Sequence, residues 1–242
     1  NNLCRISREN AEGVAVVHDP GDPDPARRFK AFYWEHSNCG PRKFDPVTPV
    51  NGMSVSFSAD GKSWTNHAGN PVIGLGSDTG HQALWDPVLK KYVVFGRFGA
   101  GGRKIARAES DDFVRWSPPR LVFQTDATDG PGVQFYGMGI TRYEGVYVGL
   151  PWMFRQGTTN RIDVQLATSR DGIAWTRSGN RQTFIPNGPK GSWDGGCIFT
   201  SAQPIQRVGD RIYIFYSALM LDHEEPRPSR KQKPEYGESS IG

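Results

Sequence analysis

Helical periodicity is what this sequence of 242 residues has least of. No stretch repeats apolar residues at i, i+3, i+4 and i+7 for three turns, which excludes a helical bundle. Long apolar runs are missing too. None approaches the roughly 18 residues that cross a bilayer as a helix, so no membrane partner is expected. Cysteine is scarce: Cys4, Cys39 and Cys197 are far apart and odd in number. That spacing excludes a close-set zinc site and a disulfide framework. The three read as isolated buried thiols, with one bridge left open. Charge of one sign is lacking as well. The 29 Lys and Arg stand against 25 Asp and Glu, a net +4 with both signs interspersed. One basic stretch, Arg227–Lys233, lies among prolines and reads as a solvated loop, so no nucleic-acid partner is expected. No targeting segment is visible at Asn1-Asn-Leu.

What is present is a phrase used three times. It reads Ser58-Ala-Asp60-Gly61-Lys-Ser-Trp64, then Ser110-Asp-Asp112-Phe113-Val-Arg-Trp116, then Ser169-Arg-Asp171-Gly172-Ile-Ala-Trp175. The copies start 52 and 59 residues apart, the mark of a repeat architecture. Strand-like aromatic runs precede the copies: Phe29–Trp34, Tyr92–Phe95 and Val146–Leu150. A fourth run, Ile212–Tyr216, has no phrase after it. Each run follows a turn, at Asp22–Pro25, Asp86-Pro87, Glu144-Gly145 and Gly209-Asp210, and a further apolar stretch lies upstream of each turn. With 29 Gly and 18 Pro, the chain reads as turn-rich and all-β.

Four short antiparallel strands per repeat make the blade of a β-propeller. The expected blades cover about 10–70, 71–125, 126–185 and 186–242, within one domain over 1–242. Asp-Gly closes a hairpin with φ > 0 at Gly. The Trp is large enough to fill the wedge between blades. The fourth blade stops at Ser239–Gly242, at the start of a third strand. The chain therefore reads as part of a larger ring, since an open ring exposes two sheet faces.

In each blade the start of strand one and the end of strand two share a rim, where propellers hold ligands. The leading positions are Ser77–Gln82, Gln134–Tyr136 and Ser192–Gly196. The trailing ones are Glu35-His36, Gly96-Arg97, Trp152–Arg155 and Asp222–Glu225. Carboxylates, His, Arg and aromatics dominate them, a composition that suits sugar hydroxyls and sugar faces. Asp78 and Asp194 are the candidate catalytic residues. His81, Arg97, Tyr136, Trp152, His223 and Glu35 are the candidate substrate-binding residues. Each has a plainer reading: turn residue for Asp78 and Asp194, ion pair for Arg97, packing for Tyr136, surface loop for His223. Asp86-Pro87 and the Asp residues of the repeated phrase read as turn chemistry, away from the funnel. No ligand spacing for a metal is visible; a structural Ca²⁺ on the axis of the acidic rims is the one ion considered.

The phrases Trp85-Asp-Pro-Val-Leu-Lys-Lys-Tyr-Val-Val-Phe-Gly-Arg97, Ala108–Trp116 and Gly191-Ser-Trp-Asp-Gly-Gly196 resemble five-bladed β-propeller proteins of glycoside hydrolase families 32 and 43. The resemblance is nearest to the uncharacterised bacterial family-32-like branch and covers nearly the whole chain. It implies a bacterial glycosidase, secreted or periplasmic, that degrades a poly- or oligosaccharide with a pair of carboxylates and a supporting Asp. It also implies an acid Glu entering the third blade, where this chain has Gln134-Phe-Tyr136. The sialidase Asp box, one residue longer, resembles the repeated phrase less well. A glycosidase is the first expectation, with a carbohydrate substrate. A non-catalytic carbohydrate-binding propeller or pseudo-enzyme is the second, and a protein-interaction propeller the third.

Overall fold

A computed structural model describes residues 6–7, 10–36, 51–78, 80–98, 102–224 and 239–241. These residues are all-β: seventeen strands and three single 3₁₀ turns, with no α-helix. The basic stretch 227–233, Cys4 and Cys39 lie outside the described residues. Cys197 is buried.

The chain divides into two compact units, Asn1–Ala100 with Ala106–Leu121, and Gly101–Ile105 with Val122–Gly242. The first unit holds two four-stranded sheets. One runs in chain order through β1 (Asn10–His18), β2 (Phe29–His36), β3 (Asn51–Ser58) and β4 (Thr65–Asn66), each antiparallel to the next. The other runs in order through β5 (Gln82–Asp86), β6 (Lys91–Gly96), β7 (Ile105–Ser110) and β8 (Arg120–Phe123). Side chains alternate along a strand, so every second residue meets the facing sheet. Ala15 and Val17, Phe32, and Met53 and Val55 from β1 to β3 thus form one core with Ala83, Tyr92, Val94, Ala106, Ala108 and Phe113.

The second unit holds β9 (Val133–Tyr143), β10 (Val146–Arg155), β11 (Ile162–Gln165), β12 (Ala167–Ser169), β13 (Thr176–Arg177), β14 (Thr183–Ile185), β15 (Cys197–Val208), β16 (Arg211–Leu219) and β17 (Ser239–Ile241). Two antiparallel meanders can be traced here. One links β9, β10, β11 and β12, and β13; the other links β15, β16 and β17. A single parallel pairing, Ile162 with Cys197, joins them. Leu150, Trp152 and Phe154 of β10 pack with Ile162, Val164, Ile198 and Ala218.

The repeated phrase closes three turns by the same hydrogen bonds. Asp60 Oδ1 accepts from the amides of Lys62 and Ser63 at 2.8 Å each, and Ser58 Oγ accepts from Gly61 N at 2.9 Å. Asp171 does the same for Ile173 and Ala174 at 2.8 and 2.9 Å, and Asp112 for Val114 and Arg115 at 2.9 and 2.8 Å. The amides of Ser63 and Lys62 hold the Asp60 carboxyl down at about 2. The fourth residue of the phrase has φ of +72° at Gly61, +70° at Gly172 and +65° at Phe113. Phe113 accepts this strained conformation because its ring is wholly buried among Phe32, Phe57, Tyr92 and Trp116.

Candidate active site

Antiparallel pairing brings the start of β5 and the end of β6 to one end of the first unit, with Gln82 opposite Phe95. There the Arg97 guanidinium, 8% exposed, binds the Asp78 carboxylate, which is 50% exposed. The Ser77 hydroxyl accepts from the Arg97 amide at 3.1 Å, which fixes the backbone beneath the pair. A charge-assisted contact on a buried cation orients the carboxylate while leaving it open to solvent. Sequence reasoning picked both residues, and the structure joins them directly.

His81 stands behind this pair. It is 2% exposed, stacked on Phe98 and edge-on to Phe32. Its Nδ1 donates to the Gly13 carbonyl at 2.9 Å, at the bulge between Glu12 and Ala15 of β1. Burial first, then the positive charge of Arg97, pull its pKa down to about 4. His81 is therefore a neutral imidazole that locks β1 onto the start of β5, behind the surface rather than on it. Glu35 is buried on β2 between Ala11 and Gly52. Next to it His36 stacks on Trp34 at 4.1 Å and meets Glu12 at 3.2 Å.

In the second unit the start of β9 and the end of β10 meet in the same way, with Gln134 opposite Phe154. The Tyr136 hydroxyl and His223 Nε2 share a hydrogen bond at 3.0 Å. Phe154 packs against both rings, at 5.8 Å from Tyr136 and 4.6 Å from His223. Arg103 lies over the rings of Tyr136 and Phe154 at 5.1 and 5.0 Å and donates to Gln134 Oε1 at 2.8 Å. Gln134 donates to Gln156 at 2.6 Å, and Gln156 to Glu224 at 3.4 Å. A polar chain thus runs from Arg103 to an exposed carboxylate. The backbone amide of His223 donates to the Asn160 carbonyl at 2.8 Å, and Asp222 accepts from Arg161 at 3.1 Å.

Of the other two candidates of this unit, Trp152 turns inward and Asp194 engages its own loop. Trp152 is buried; its indole donates to Thr200 Oγ1 at 2.8 Å and packs edge-on to Phe199. Asp194 sits in the turn before β15, where its Oδ1 accepts from Ser192 Oγ at 2.8 Å and its carbonyl from Gly188 N at 3.2 Å. Arg103 and Gln156 lie outside the rim positions read from the sequence, and Phe154 lies within Trp152–Arg155 without being a candidate. They carry no motif: the pairing of β9 with β10 brings Phe154 and Gln156 toward Tyr136, while Arg103 reaches it from the segment before β7. Among the described residues no three His, Cys, Asp or Glu side chains converge as metal ligands.

No protein-family profile matches the chain. Over 121 residues, 47% of its length, it is 29% identical to the A type blood N-acetyl-α-D-galactosamine deacetylase of Flavonifractor plautii. That stretch is 16% of the relative's length. A solved N-acetylgalactosamine deacetylase from F. plautii, in complex with blood group B trisaccharide, superposes with a TM-score of 0.50 at 14% identity, covering 90% of this chain and 82% of that one. A glycosyl hydrolase from Bacteroides ovatus gives 0.57 at 15% identity, over 89% of this chain and 62% of that one. A thermostable family-43 glycoside hydrolase gives 0.60 at 12% identity, over 90% of this chain and 68% of that one. At these identities the likeness is one of fold, shared with carbohydrate-active enzymes.

Proposed function

We propose that this chain supplies blades of a five-bladed β-propeller and acts as a glycoside hydrolase-like enzyme on a poly- or oligosaccharide. The observation that carries this reading is the Asp78–Arg97 pair: a half-exposed carboxylate anchored by a nearly buried guanidinium where β5 begins and β6 ends. The meanders β1–β4 and β5–β8 are each the size of a blade, and the fold likeness to a family-43 glycoside hydrolase supports the same reading.

In glycoside hydrolysis a carboxylic acid protonates the leaving oxygen, and a carboxylate attacks the anomeric carbon or activates the water that does. Asp78 takes the second role in this reading, as base or transition-state support. Asp194 is the second candidate carboxylate. Glu224, exposed and linked through Gln156 to the Arg103 chain, is a further carboxyl that the sequence-based choice passed over. Tyr136 and His223 offer an aromatic edge and a polar tip to a sugar. Incubation of the protein with a panel of plant, algal and microbial glycans tests this directly. Mass spectrometry and NMR should find a cleaved glycosidic bond, with a new reducing end, in at least one of them.

A second reading is a carbohydrate-binding propeller without turnover. It is favoured by the engagement of Asp194 with its own loop. Tight binding of a glycan that stays uncleaved over the same incubation selects it.

A further inference from the structure

The end of the first unit opposite Asp78 and Arg97 holds a groove of about 500 Å³. Its lining includes Asp19, Asp22, Arg27, Trp85, Tyr92 and Asp111. Asp19 follows the end of β1, Trp85 is the penultimate residue of β5, and Tyr92 is the second of β6. At about 3.3 Å per residue, the six residues of β6 separate this groove from Arg97 by about 20 Å.

Trp85 is 42% exposed, yet its ring is fixed edge-on against Tyr92 with centroids 4.9 Å apart. An immobilised, solvent-facing indole presents a flat apolar platform with little ordering left to lose on binding. The charges around it are compensated from within the unit. Lys30, with no exposed surface, bonds Asp19 at 3.1 Å and Asp22 at 2.7 Å, and the Tyr92 hydroxyl also donates to Asp19. Lys91 pairs with Asp111 at 3.4 Å, and Arg115 with Asp112 at 2.8 Å. Burial pushes the Asp19 carboxyl up, but the bonds from Tyr92 and Lys30 outweigh it and hold it below the ordinary range.

This combination selects among ligands. A cation finds carboxylates that are already neutralised. An anion finds cations that are already engaged, Lys30 buried and Lys91 and Arg115 each paired with an Asp. A ligand with an apolar face and a ring of hydroxyls finds a platform and oriented acceptors together. We infer that this groove is a binding site for a neutral saccharide, one sugar ring stacking on Trp85 while its hydroxyls donate to Asp19, Asp22 and Asp111. The site is separate from the Asp78 rim and stands whether or not the protein hydrolyses glycans.

The test is a ¹⁵N-¹H NMR titration of the protein with cellohexaose, xylohexaose and, as an anionic comparison, hexagalacturonate. At least one neutral hexasaccharide should shift the Trp85 indole and the amides of Gly21, Asp22 and Asp111 saturably. Trp85→Ala should weaken that binding about tenfold or more, as loss of an aromatic anchor does, while Trp85→Phe keeps most of it. Asp78→Asn should leave it unchanged, which separates this site from the proposed catalytic one. The inference is overturned if neither neutral hexasaccharide moves these resonances, if Trp85→Ala binds as tightly as the parent, or if hexagalacturonate binds more tightly than both.

Discussion

His81 sits between Phe32 and Phe98 with Nδ1 on the Gly13 carbonyl, and its pKa of about 4 lies below the ordinary 6.5. Above pH 6.5 neither the folded nor the unfolded chain protonates it. Between 6.5 and 4 the unfolded chain takes up a proton that the folded chain refuses, so stability falls as pH falls. The loss should reach about 3 kcal/mol near pH 4, at about 1.4 kcal/mol per pH unit. Urea unfolding at pH 7 and pH 4.5, in the parent and in His81→Gln, measures it. The variant should be less stable at pH 7 and should lose part of the slope. An identical slope in both would place the titration elsewhere. From the sequence His81 is a candidate sugar ligand because it lies in the rim segment Ser77–Gln82. Its burial depends on Phe98 and Gly13, which lie 17 and 68 residues away, and no local pattern carries that information. The meeting of Asp78 and Arg97 was legible because both lie at strand ends that antiparallel pairing brings together.

The strands were the most legible elements. β2, β6, β10 and β16 are runs of β-branched and aromatic residues bounded by turns, and the turn residues Asp60, Asp112 and Asp171 accept the amides that their phrase implies. Phe113 in the glycine position was legible as an oddity but not as a core residue. Its ring fills space that Gly61 and Gly172 leave to others. Gly172→Ala should therefore cost about 1 kcal/mol, the strain of a side chain at positive φ. Phe113→Ala should cost about 3–5 kcal/mol, because the lost ring leaves a cavity in the core of the first unit. Thermal and chemical denaturation of the two variants gives the comparison, and a larger loss for Gly172→Ala would contradict it. A second element-scale case is β13. Its Arg177 and the turn residue Asp129 form an ion pair that is 5% and 4% exposed. Arg177 also donates to Gln165 Oε1 on β11 at 2.5 Å. Removing one partner leaves a buried charge unmatched, so Asp129→Ala should lose about 3–5 kcal/mol. Denaturation at neutral pH reads it; a loss below about 1 kcal/mol would mean that Gln165 alone satisfies the guanidinium.

At the scale of the molecule, antiparallel meanders do the organising. Each carries the start of one strand and the end of the next to a common end, so short polar segments far apart in sequence become neighbours. That is why Asp78 meets Arg97, and why Gln134 lies opposite Phe154. The same pairing gathers Asp19, Trp85 and Tyr92 at the opposite end of the first unit. An all-β repeat was legible from the phrase and its spacing. The division into two compact units was not, because it depends on which sheets share a core. If Tyr136 and His223 bind substrate as proposed, Tyr136→Phe and His223→Ala should raise KM for a cleaved glycan several-fold and change kcat less. Steady-state kinetics on the glycan found by the panel checks this. The most direct measurement is kcat for Asp78→Asn on that glycan, with folding verified by circular dichroism. The account predicts a fall of about 10²-fold or more, the scale of losing a general base or a nucleophile. A kcat equal to that of the parent would remove Asp78 from the chemistry and contradict the assignment.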